Sequence, residues 1–387
     1  MKATLAKWLC AALMLLSQTG CWDLKTIQDT NYMTAIGFDY KDGKYIVYGQ
    51  MLDFASVAKQ EAGQSSQPPL IWVGKEEGVT VNDAFNKLYQ TSQQRVFWGH
   101  VGAYLFTKDA LNKGIANFVD GSIRYSETRF TQWVYSTDDP IESIFSVIPF
   151  FNVSPMNSLL MQPIDNYRQI SLITPHRLFW LVSRYREPGN TVMIPSLSID
   201  KGVWKKNTKP DAKLRYSGVY ALNKYRDLQW VSETQYRGAR WLDQYTSRTP
   251  VNVFKDGEPA QSVSVTHPKA KIKPHVNGDQ AIFDIEIKAK ASVQEILRTL
   301  DEATLKSLIE QQIKEEIIQT FELGKSHKVD VYRFEHVLYK DDFPAWAKLT
   351  DKGEKPLSDF VLGEVTIKLD ILHSGMLRMD NHRSDQY

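Results

Sequence analysis

The residues of this sequence that could carry out catalysis are few and poorly placed. Ser56 and Lys59 have the spacing of a serine nucleophile with a lysine base, but they begin a segment rich in Gln and Ser, and no Lys-Thr-Gly motif follows. Adjacent carboxylates such as Glu315 and Glu316 could act as acid and base, although neighbours in sequence usually point apart. There is no Gly-rich phosphate loop, no nucleophile elbow and no histidine pair at a metal-binding spacing. We therefore predict a protein that is not an enzyme and has no metal site.

His100 is the one histidine whose setting suggests ligand binding. It lies between Gly99 and Val101, at the start of a short apolar strand. Such a histidine either binds a ligand or has a structural role with hydrogen-bonded ring nitrogens, and the pattern favours the structural role. The ten tryptophans likewise fit core or rim positions better than ligand cages.

Cys21 follows a segment with the features of an export signal. Lys2 and Lys7 provide a positive start, residues 8–16 form a continuous apolar stretch, and small or polar residues lead up to Gly20. The apolar stretch is too short to span a bilayer, which takes about 20 residues. We therefore interpret residues 1–20 as a signal peptide.

The junction at Cys21 resembles the lipobox of bacterial lipoproteins, in which the cysteine becomes the N-terminus and carries a covalent diacylglycerol and an N-acyl chain. Thr19 and Gly20 fit that pattern, whereas Gln18 stands where an apolar residue is usual. Two or more acyl chains hold a protein stably on a bilayer, so Cys21 would attach the chain without spanning the membrane. No other cofactor is predicted. The alternative is a secreted protein in which this cysteine is incidental and carries no lipid.

The charge balance of the mature chain excludes one class of partner. Removing residues 1–20 deletes Lys2 and Lys7 and no acid, so the 47 basic residues become 45, against 45 acidic residues. Nucleic-acid-binding proteins generally have a basic surface, so we expect no nucleic acid partner. The same balance argues against a polybasic membrane-binding patch.

The first half of the chain has the pattern of a sheet covered by helices. Residues 33–38 and 45–51 read as two paired strands joined by a turn at Asp42-Gly43. Thr80 has the position of a helix N-cap, with Asp83 placed to reach back to it. Strands and helices then alternate as far as Tyr135, which favours a mostly covered sheet.

The second half contains the clearest strands and the longest helix. Residues 283–293 and 365–371 alternate strictly between apolar and charged side chains, which favours an antiparallel sheet with one face in water. Between them, residues 301–323 predict a helix that ends at Gly324 and carries an apolar stripe of Leu305, Ile309, Ile313 and Ile317. The stripe packs either on the nearby sheet, which we favour, or on a partner or membrane surface.

A segment rich in charge, Gly and Pro at residues 186–213 marks the predicted division of the chain. We predict an N-terminal domain at 21–200 and a C-terminal domain at 201–378, the latter either single or divided into about 201–275 and 276–378. Residues 379–387 form a polar tail. The predicted fold class is α+β or mixed and multidomain, with mixed and antiparallel sheets each covered by helices and a long amphipathic helix in the C-terminal half.

Short motifs distributed over the whole mature chain carry a family resemblance. In order, they are Gly20-Cys21-Trp22-Asp23, Gly37-Phe38-Asp39, Gly78-Val79-Thr80, Asp83-Ala84, Trp98-Gly99-His100, Gly218-Val219-Tyr220, Glu233, Arg237-Gly238, Asp330, Tyr339, Phe343-Pro344-Ala345-Trp346, Phe360 and Gly375. Their order and spacing resemble the Ger(x)C lipoproteins, the C subunits of bacterial spore germinant receptors.

The resemblance implies a non-catalytic, lipid-anchored subunit on the outer face of the spore inner membrane. It would assemble with a membrane-embedded A subunit and a transporter-like B subunit into a receptor for nutrients. The matching positions with a possible structural or partner-binding role are Trp22, Asp23, Gly37, Asp39, His100, Gly238, Asp330 and Pro344. The main alternative is a solute-binding lipoprotein of an import system, which usually has two lobes of repeated strand-helix-strand units around a cleft. A cell-envelope enzyme is a weaker third reading.

Overall fold

The computed structural model of the chain describes Trp8 and residues 30–52, 69–124, 127–225 and 228–372. The signal peptide, Cys21, Trp22, Asp23, the Ser56/Lys59 pair, Gly375 and the tail therefore lie outside the described residues. Among the described residues, no helix has both the length and the apolar character needed to cross a membrane.

Sixteen strands are present in the described part of the chain. They are β1 (Thr30–Lys41), β2 (Lys44–Leu52), β3 (Ile71–Gly78), β4 (Arg95–Phe97), β5 (Ala103–Thr107), β6 (Trp133–Thr137), β7 (His176–Arg177), β8 (Thr191–Asp200), β9 (Lys205–Lys206), β10 (Lys209–Pro210), β11 (Lys213–Asn223), β12 (Leu228–Ser232), β13 (Arg248–Lys255), β14 (Glu258–Asn277), β15 (Gln280–Ile296) and β16 (Phe360–Leu372).

The helices of the same residues cover both sheets. They are α1 (Val81–Thr91), α2 (Lys108–Lys113), α3 (Ile115–Ile123), α4 (Ile141–Phe145), α5 (Pro163–Gln169), α6 (Leu178–Arg186), α7 (Glu302–Ser326), α8 (Phe334–Asp341) and α9 (Phe343–Leu349), with short 3-10 helices at Phe150–Asn152, Pro155–Asn157 and Arg237–Trp241.

The larger sheet is mixed and has ten strands. Its order is β12-β11-β8-β6-β5-β1-β2-β3, with β4 beside β1 and β7 beside β6. Strands β1, β4, β5, β6 and β8 run in one direction, and β2, β7 and β11 pair with members of this set in the antiparallel sense. The predicted hairpin is confirmed, since Gly37 pairs with Tyr48 across β1 and β2, and its turn has positive φ at Asp42 and Gly43.

Local signals position the first helix as predicted. The Thr80 hydroxyl accepts a hydrogen bond from the Asp83 N–H at 3.1 Å, and the Asp83 carboxylate accepts one from the Val79 N–H at 3.0 Å. The two bonds satisfy backbone donors at the start of α1. The bond from the Val79 N–H is also the largest cause of the lowered pKa of Asp83, to which Lys87 adds.

The smaller sheet has the order β13-β14-β15-β16 and is covered by α7. Its first three strands are antiparallel and β16 is parallel to β15. The predicted apolar stripe of α7 is buried, from Leu305 to Ile317, and forms one core with the inward side chains of β15. The helix runs two residues past Gly324, which is buried against Val331. The favoured prediction, a core helix on the sheet, is therefore confirmed.

The larger sheet continues across residue 200, where we expected the domain boundary. Strands β8 and β11 are antiparallel neighbours, and β11 pairs with β12, so residues as far as Ser232 belong to the larger sheet. The further division that we considered at residue 275 falls within β14, which pairs with β15 on both sides of that point. Whether 21–200 and 201–378 fold as separate domains stays a prediction.

The two halves share a hydrophobic core. Met193, Val219 and Val231 of the larger sheet pack in the same cluster as Trp241 and the buried face of the smaller sheet. The opposite face of the larger sheet packs on α1, α3 and α6. The α+β fold class, with a mixed sheet, a mostly antiparallel sheet and a long helix in the second half, is confirmed.

Candidate functional site

Gly37 and Asp39 lie on β1 in the middle of the larger sheet. A Cβ atom at Gly37 would come within 2.5 Å of Ile141, so the glycine permits α4 to pack closely on the sheet. The Asp39 carboxylate accepts hydrogen bonds from its neighbour's N–H and from the Thr107 hydroxyl, which itself caps α2. Both residues therefore have local structural roles.

His100 lies on the surface near the N-terminal end of β1. Its ring contacts Tyr32 edge-on, with 5.1 Å between the ring centroids, and lies 5.6 Å from the Phe97 ring. It belongs to an aromatic group on the surface, at the opposite end of β1 from Asp39.

Gly238 lies where the 3-10 helix at 237–241 meets α7. A Cβ atom there would lie 2.6 Å from the Tyr332 hydroxyl and 2.8 Å from Thr320 Oγ1, and closer still to the Glu316 carbonyl oxygen. The Gly238 N–H donates to Thr320 Oγ1 at 2.9 Å. Only glycine fits this contact without displacing the helix.

The same contact contains a buried ion pair. Arg240, which is 5% exposed, donates to both carboxylate oxygens of Glu316 at 3.0 and 2.9 Å. Trp241 Nε1 donates to Glu316 as well, at 2.8 Å. Burial lowers the pKa of Arg240, while the charge of Glu316 opposes that shift. A carboxylate that accepts these three hydrogen bonds holds α7 against the 3-10 helix.

Asp330 and Pro344 shape the start of α8 and α9. The Asp330 carboxylate accepts a hydrogen bond from the Glu335 N–H at 2.8 Å, and burial raises its pKa to about 6. Pro344 occupies the first turn of α9, where its missing N–H costs nothing, next to the N-cap Asp342. These positions are therefore explained by helix capping.

A buried carboxylate joins the two halves near these helices. Glu335 accepts hydrogen bonds from Trp346 Nε1 at 3.3 Å, from the Leu357 N–H at 3.0 Å and from the Tyr225 hydroxyl at 3.2 Å. Tyr225 belongs to the turn between β11 and β12 of the larger sheet. Glu335 is thus fully bonded and serves the interface between the halves.

Beside this interface, α6 and α8 enclose an open cleft that we call the junction cleft. It has a volume of about 470 Å³ and is lined by Phe179, Trp180, Ser183, Arg184, Glu187, Asn190, Ile272, Tyr332, Arg333, His336, Val337 and Lys340. A smaller inner cavity shares Arg184, Tyr332 and Arg333 with it. Volumes in this range are typical of small-molecule sites.

Several positively charged side chains line the junction cleft, among them Arg184 and Arg333. Burial lowers the pKa of Arg184, and the nearby positive charge of Arg333 lowers it further, while Asp243 opposes the shift. Arg333 has a left-handed backbone, with φ of 59°, at the N-cap of α8. His176 adds no charge at neutral pH, because burial lowers its pKa to about 4.

Both halves of the chain match models of a known protein family. The family model described as spore germination protein N-terminal domain matches residues 23–199, and the model described as spore germination B3/GerAC like, C-terminal, matches residues 217–375. The chain belongs to this spore germination protein family.

Relatives of this spore germination protein match it over nearly their whole length. Spore germination protein KC of Bacillus subtilis (strain 168) is 24% identical over 372 residues, which cover 90% of this chain and 91% of the relative. Spore germination protein B3 of the same organism is 21% identical over 390 residues, covering 95% and 96%. The crystal structure of the GerBC protein matches with a TM-score of 0.50 and 15% identity over 90% of this chain and 99% of that chain, a likeness of fold.

Sequence reasoning on this spore germination protein placed two residues beside the cleft but missed its charges. Gly238 contacts Tyr332, and Asp330 precedes Arg333 in the segment that lines the cleft. Arg184 and Arg333 have no motif in common, and only the packing of α6 against α8 brings them together. Among the described residues, no group of three or more His, Cys, Asp and Glu side chains could hold a metal ion.

Proposed function

We propose that this chain is a lipid-anchored, non-catalytic subunit of a spore germinant receptor, needed for nutrient-triggered germination. The observation that carries the proposal is the pair of family matches, which run in order through both halves of the chain. The subunit assembles with the membrane-embedded A and B subunits on the outer face of the spore inner membrane. Its lipid is the diacylglycerol and N-acyl modification of Cys21.

The architecture supports a receptor subunit over a solute-binding lipoprotein of an import system. A ten-stranded mixed sheet and a four-stranded sheet under one long helix are different folds. Solute-binding lipoproteins usually have two similar lobes of repeated strand-helix-strand units. The two halves of this chain also share one core rather than facing each other across a central cleft.

Removal of the lipidated cysteine tests the anchor. Cys21→Ala should release the chain from the spore membrane fraction and reduce germination in response to nutrients, because the thiol carries the diacylglycerol. Cys10→Ala is the matched control, since Cys10 lies in the segment that we expect to be cleaved. Normal membrane retention and normal germination of the Cys21 variant would refute the anchor.

Assembly with the membrane-embedded subunits is tested separately. Asp23→Lys, with lipidation intact, should lower the amount of A subunit recovered with this chain, because Asp23 lies next to the anchor where partners meet it. Asp29→Lys makes the same change of charge six residues further along. Normal recovery of the A subunit with the Asp23 variant would contradict a partner role for this position, and no recovery with the unmodified chain would refute the receptor itself.

A further inference from the structure

The first inference concerns the two arginines of the junction cleft. Within the described residues, neither the Arg184 nor the Arg333 guanidinium has a hydrogen bond or an ion pair with a carboxylate. Arg184 only stacks over the Trp180 ring, 4.3 Å from its centroid. A half-buried guanidinium normally has a partner, because burial of an unpaired charge is unfavourable.

The acids near the cleft have other hydrogen-bond partners. Asp330, whose raised pKa the charge of Arg333 opposes, accepts from the Glu335 N–H. Glu187 lies 3.2 Å from His336 Nε2 and 3.4 Å from Asn190 Nδ2. Asp243 accepts hydrogen bonds from the Thr174 hydroxyl and the Tyr245 N–H, at 2.5 and 2.8 Å. The guanidinium groups therefore keep their hydrogen-bond donors for a group that enters the cleft.

Asn190 is a second, independent sign of a ligand. Its side chain lines the cleft and is buried, with 3% of its surface exposed, yet its Oδ1 atom has no hydrogen-bond partner in the described structure. Buried amide oxygens are almost always bonded, so this acceptor is expected to receive an N–H or O–H from outside the chain. The walls beside it are apolar or aromatic, formed by Phe179, Trp180 and Val337.

We propose that the junction cleft binds a small organic carboxylate that also carries a hydrogen-bond donor. The planar guanidinium fork matches a carboxylate, the aromatic walls accept its carbon skeleton, and Asn190 Oδ1 receives the donor. This site does not depend on the anchor or on the partner subunits.

Calorimetric titration of the full chain tests the site, with lactate, propionate and inorganic phosphate as probes. Lactate should bind saturably, and R184Q and R333Q should weaken it by about tenfold or more, because each removes a charged contact. N190A should weaken lactate but leave propionate unchanged, since propionate has no donor for Asn190. R186Q, a change of the same charge on the exposed side of α6, is the control and should have no effect.

The possible results of these titrations either support or overturn the proposed site. R184K keeps the charge and the fold but loses the fork, so intermediate weakening would support the site even if R184Q unfolds. Equal lactate affinity in R184Q and R186Q would overturn the proposal, as would the absence of saturable carboxylate binding. Binding of phosphate alone would overturn the organic part of the assignment.

A second inference rests on an exposed surface at the other end of the larger sheet, which we call the aromatic tip. It consists of Phe150, Phe151, Val203 and Trp204 with the exposed lysines Lys205, Lys206 and Lys209. Lys213, next to them, is mostly buried and paired with Asp211 at 2.7 Å. Phe151, Val203 and Trp204 are 86%, 70% and 53% exposed. The Phe150 and Trp204 rings pack edge-on at 4.9 Å, and Lys213 lies over Phe150. The neutral balance of the whole chain conceals this local concentration of lysine.

We infer that the aromatic tip lies on an anionic bilayer surface. Lysine is depleted at the centres of protein interfaces, whereas exposed Trp and Phe beside lysines are typical of segments that enter the headgroup layer.

The orientation of the sheet on the membrane rests on the proposed lipid anchor at Cys21. The strand register places Ser196 level with Phe38, so the tip lies roughly 40 Å from Thr30. Nine residues from Cys21 reach about 30 Å at most, so the sheet must tilt toward the membrane.

A single labelled cysteine tests this contact, because Cys21 is blocked by lipid and Cys10 is removed. V203C carrying an environment-sensitive dye should show a blue shift on vesicles of phosphatidylglycerol but not on phosphatidylcholine. N277C, at the exposed end of β14, is the control and should show none. No shift at residue 203 while the chain floats with the vesicles would overturn the tip contact and leave the anchor intact. Failure to float would refute the anchor instead.

Discussion

Two sites that contain arginine side chains meet at Tyr332 and differ in how the arginines are paired; Arg240 is buried, and Arg184 and Arg333 are half-buried. Arg240 donates two hydrogen bonds to Glu316, whereas Arg184 and Arg333 have no carboxylate partner among the described residues. Tyr332 belongs to both regions, since its hydroxyl donates to the Ile317 carbonyl oxygen at 2.8 Å and its side chain lines the junction cleft. Arg240 thus has a carboxylate partner, although its Nε atom has no hydrogen bond within the described residues, whereas the two arginines of the cleft lack a carboxylate partner.

The difference distinguishes an arginine that stabilises the fold from two arginines that we propose bind a ligand. A paired buried charge fixes two elements against each other, and its loss leaves the partner uncompensated. An unpaired buried charge does not hold two elements together in this way. Its burial is explained if a bound ligand supplies the missing partner. The predictions below test this distinction by removing charges from each side.

The largest effect is expected from Glu316→Gln. The variant leaves the Arg240 guanidinium buried without a counter-charge, so the free energy of unfolding should fall by about 3–5 kcal/mol. Chemical denaturation measures the change. Glu315→Gln, on the exposed side of α7, is the matched control and should stay within about 0.5 kcal/mol. Equal losses in both variants would show that the buried pair does not hold α7 in place.

Gly238→Ala should have the next largest effect. The added Cβ would collide with the backbone and with Thr320 and Tyr332, forcing α7 away from the 3-10 helix. Overpacking of this kind costs about 1–3 kcal/mol. At Gly202 a Cβ would meet nothing within 4 Å, so Gly202→Ala should be nearly neutral in the same measurement. A neutral Gly238→Ala would contradict the close packing.

Some features of the fold could be predicted from the sequence and others could not. The pattern predicted the buried stripe of α7, the hairpin at Asp42-Gly43 and the Thr80 cap, because each depends on neighbours in sequence. The continuation of the larger sheet to Ser232 depends on pairing between β8 and β11 across a loop, which no local pattern encodes. The cleft is harder still to predict, because α6 ends at Arg186 and α8 begins at Phe334, and only the fold of the whole chain brings these two helices together.

Asp330 allows a similar test of how burial affects the charge of an acidic side chain. Its pKa is raised to about 6 in the folded chain, above the ordinary value of 3.8, so the folded state binds the proton more tightly than the unfolded state. The resulting stability is present below pH 4 and is lost as the pH rises through 6. Asp330→Asn lacks this loss, so its stability relative to the unmodified chain should rise between pH 4 and 7.

The expected rise is about 1–2 kcal/mol, which allows for the partial exposure of the carboxyl group. Denaturation curves of both proteins across this range measure it. The difference between the two chains cancels the opposite contribution of His176, whose lowered pKa removes stability as the pH falls below its ordinary value. A constant difference across the range would show that Asp330 is not penalised by burial.

Arg184→Gln should have the smallest effect on stability. The variant loses the contact with Trp180, worth about 0.5–1 kcal/mol, but it relieves the burial of a charge and its repulsion from Arg333. We therefore expect a change below about 1 kcal/mol in unfolding free energy, against about 3–5 kcal/mol for Arg240→Gln. If both arginine variants were equally destabilised, Arg184 would already be satisfied within the chain, and the comparison would fail. If they differ, lactate extends the comparison. A ligand at a hundred times its dissociation constant stabilises a folded protein by about 2.7 kcal/mol, so lactate should stabilise the unmodified chain and the Arg186 control by about this amount. The Arg184 variant, which should bind lactate at least about tenfold more weakly, should gain no more than about 1.4 kcal/mol.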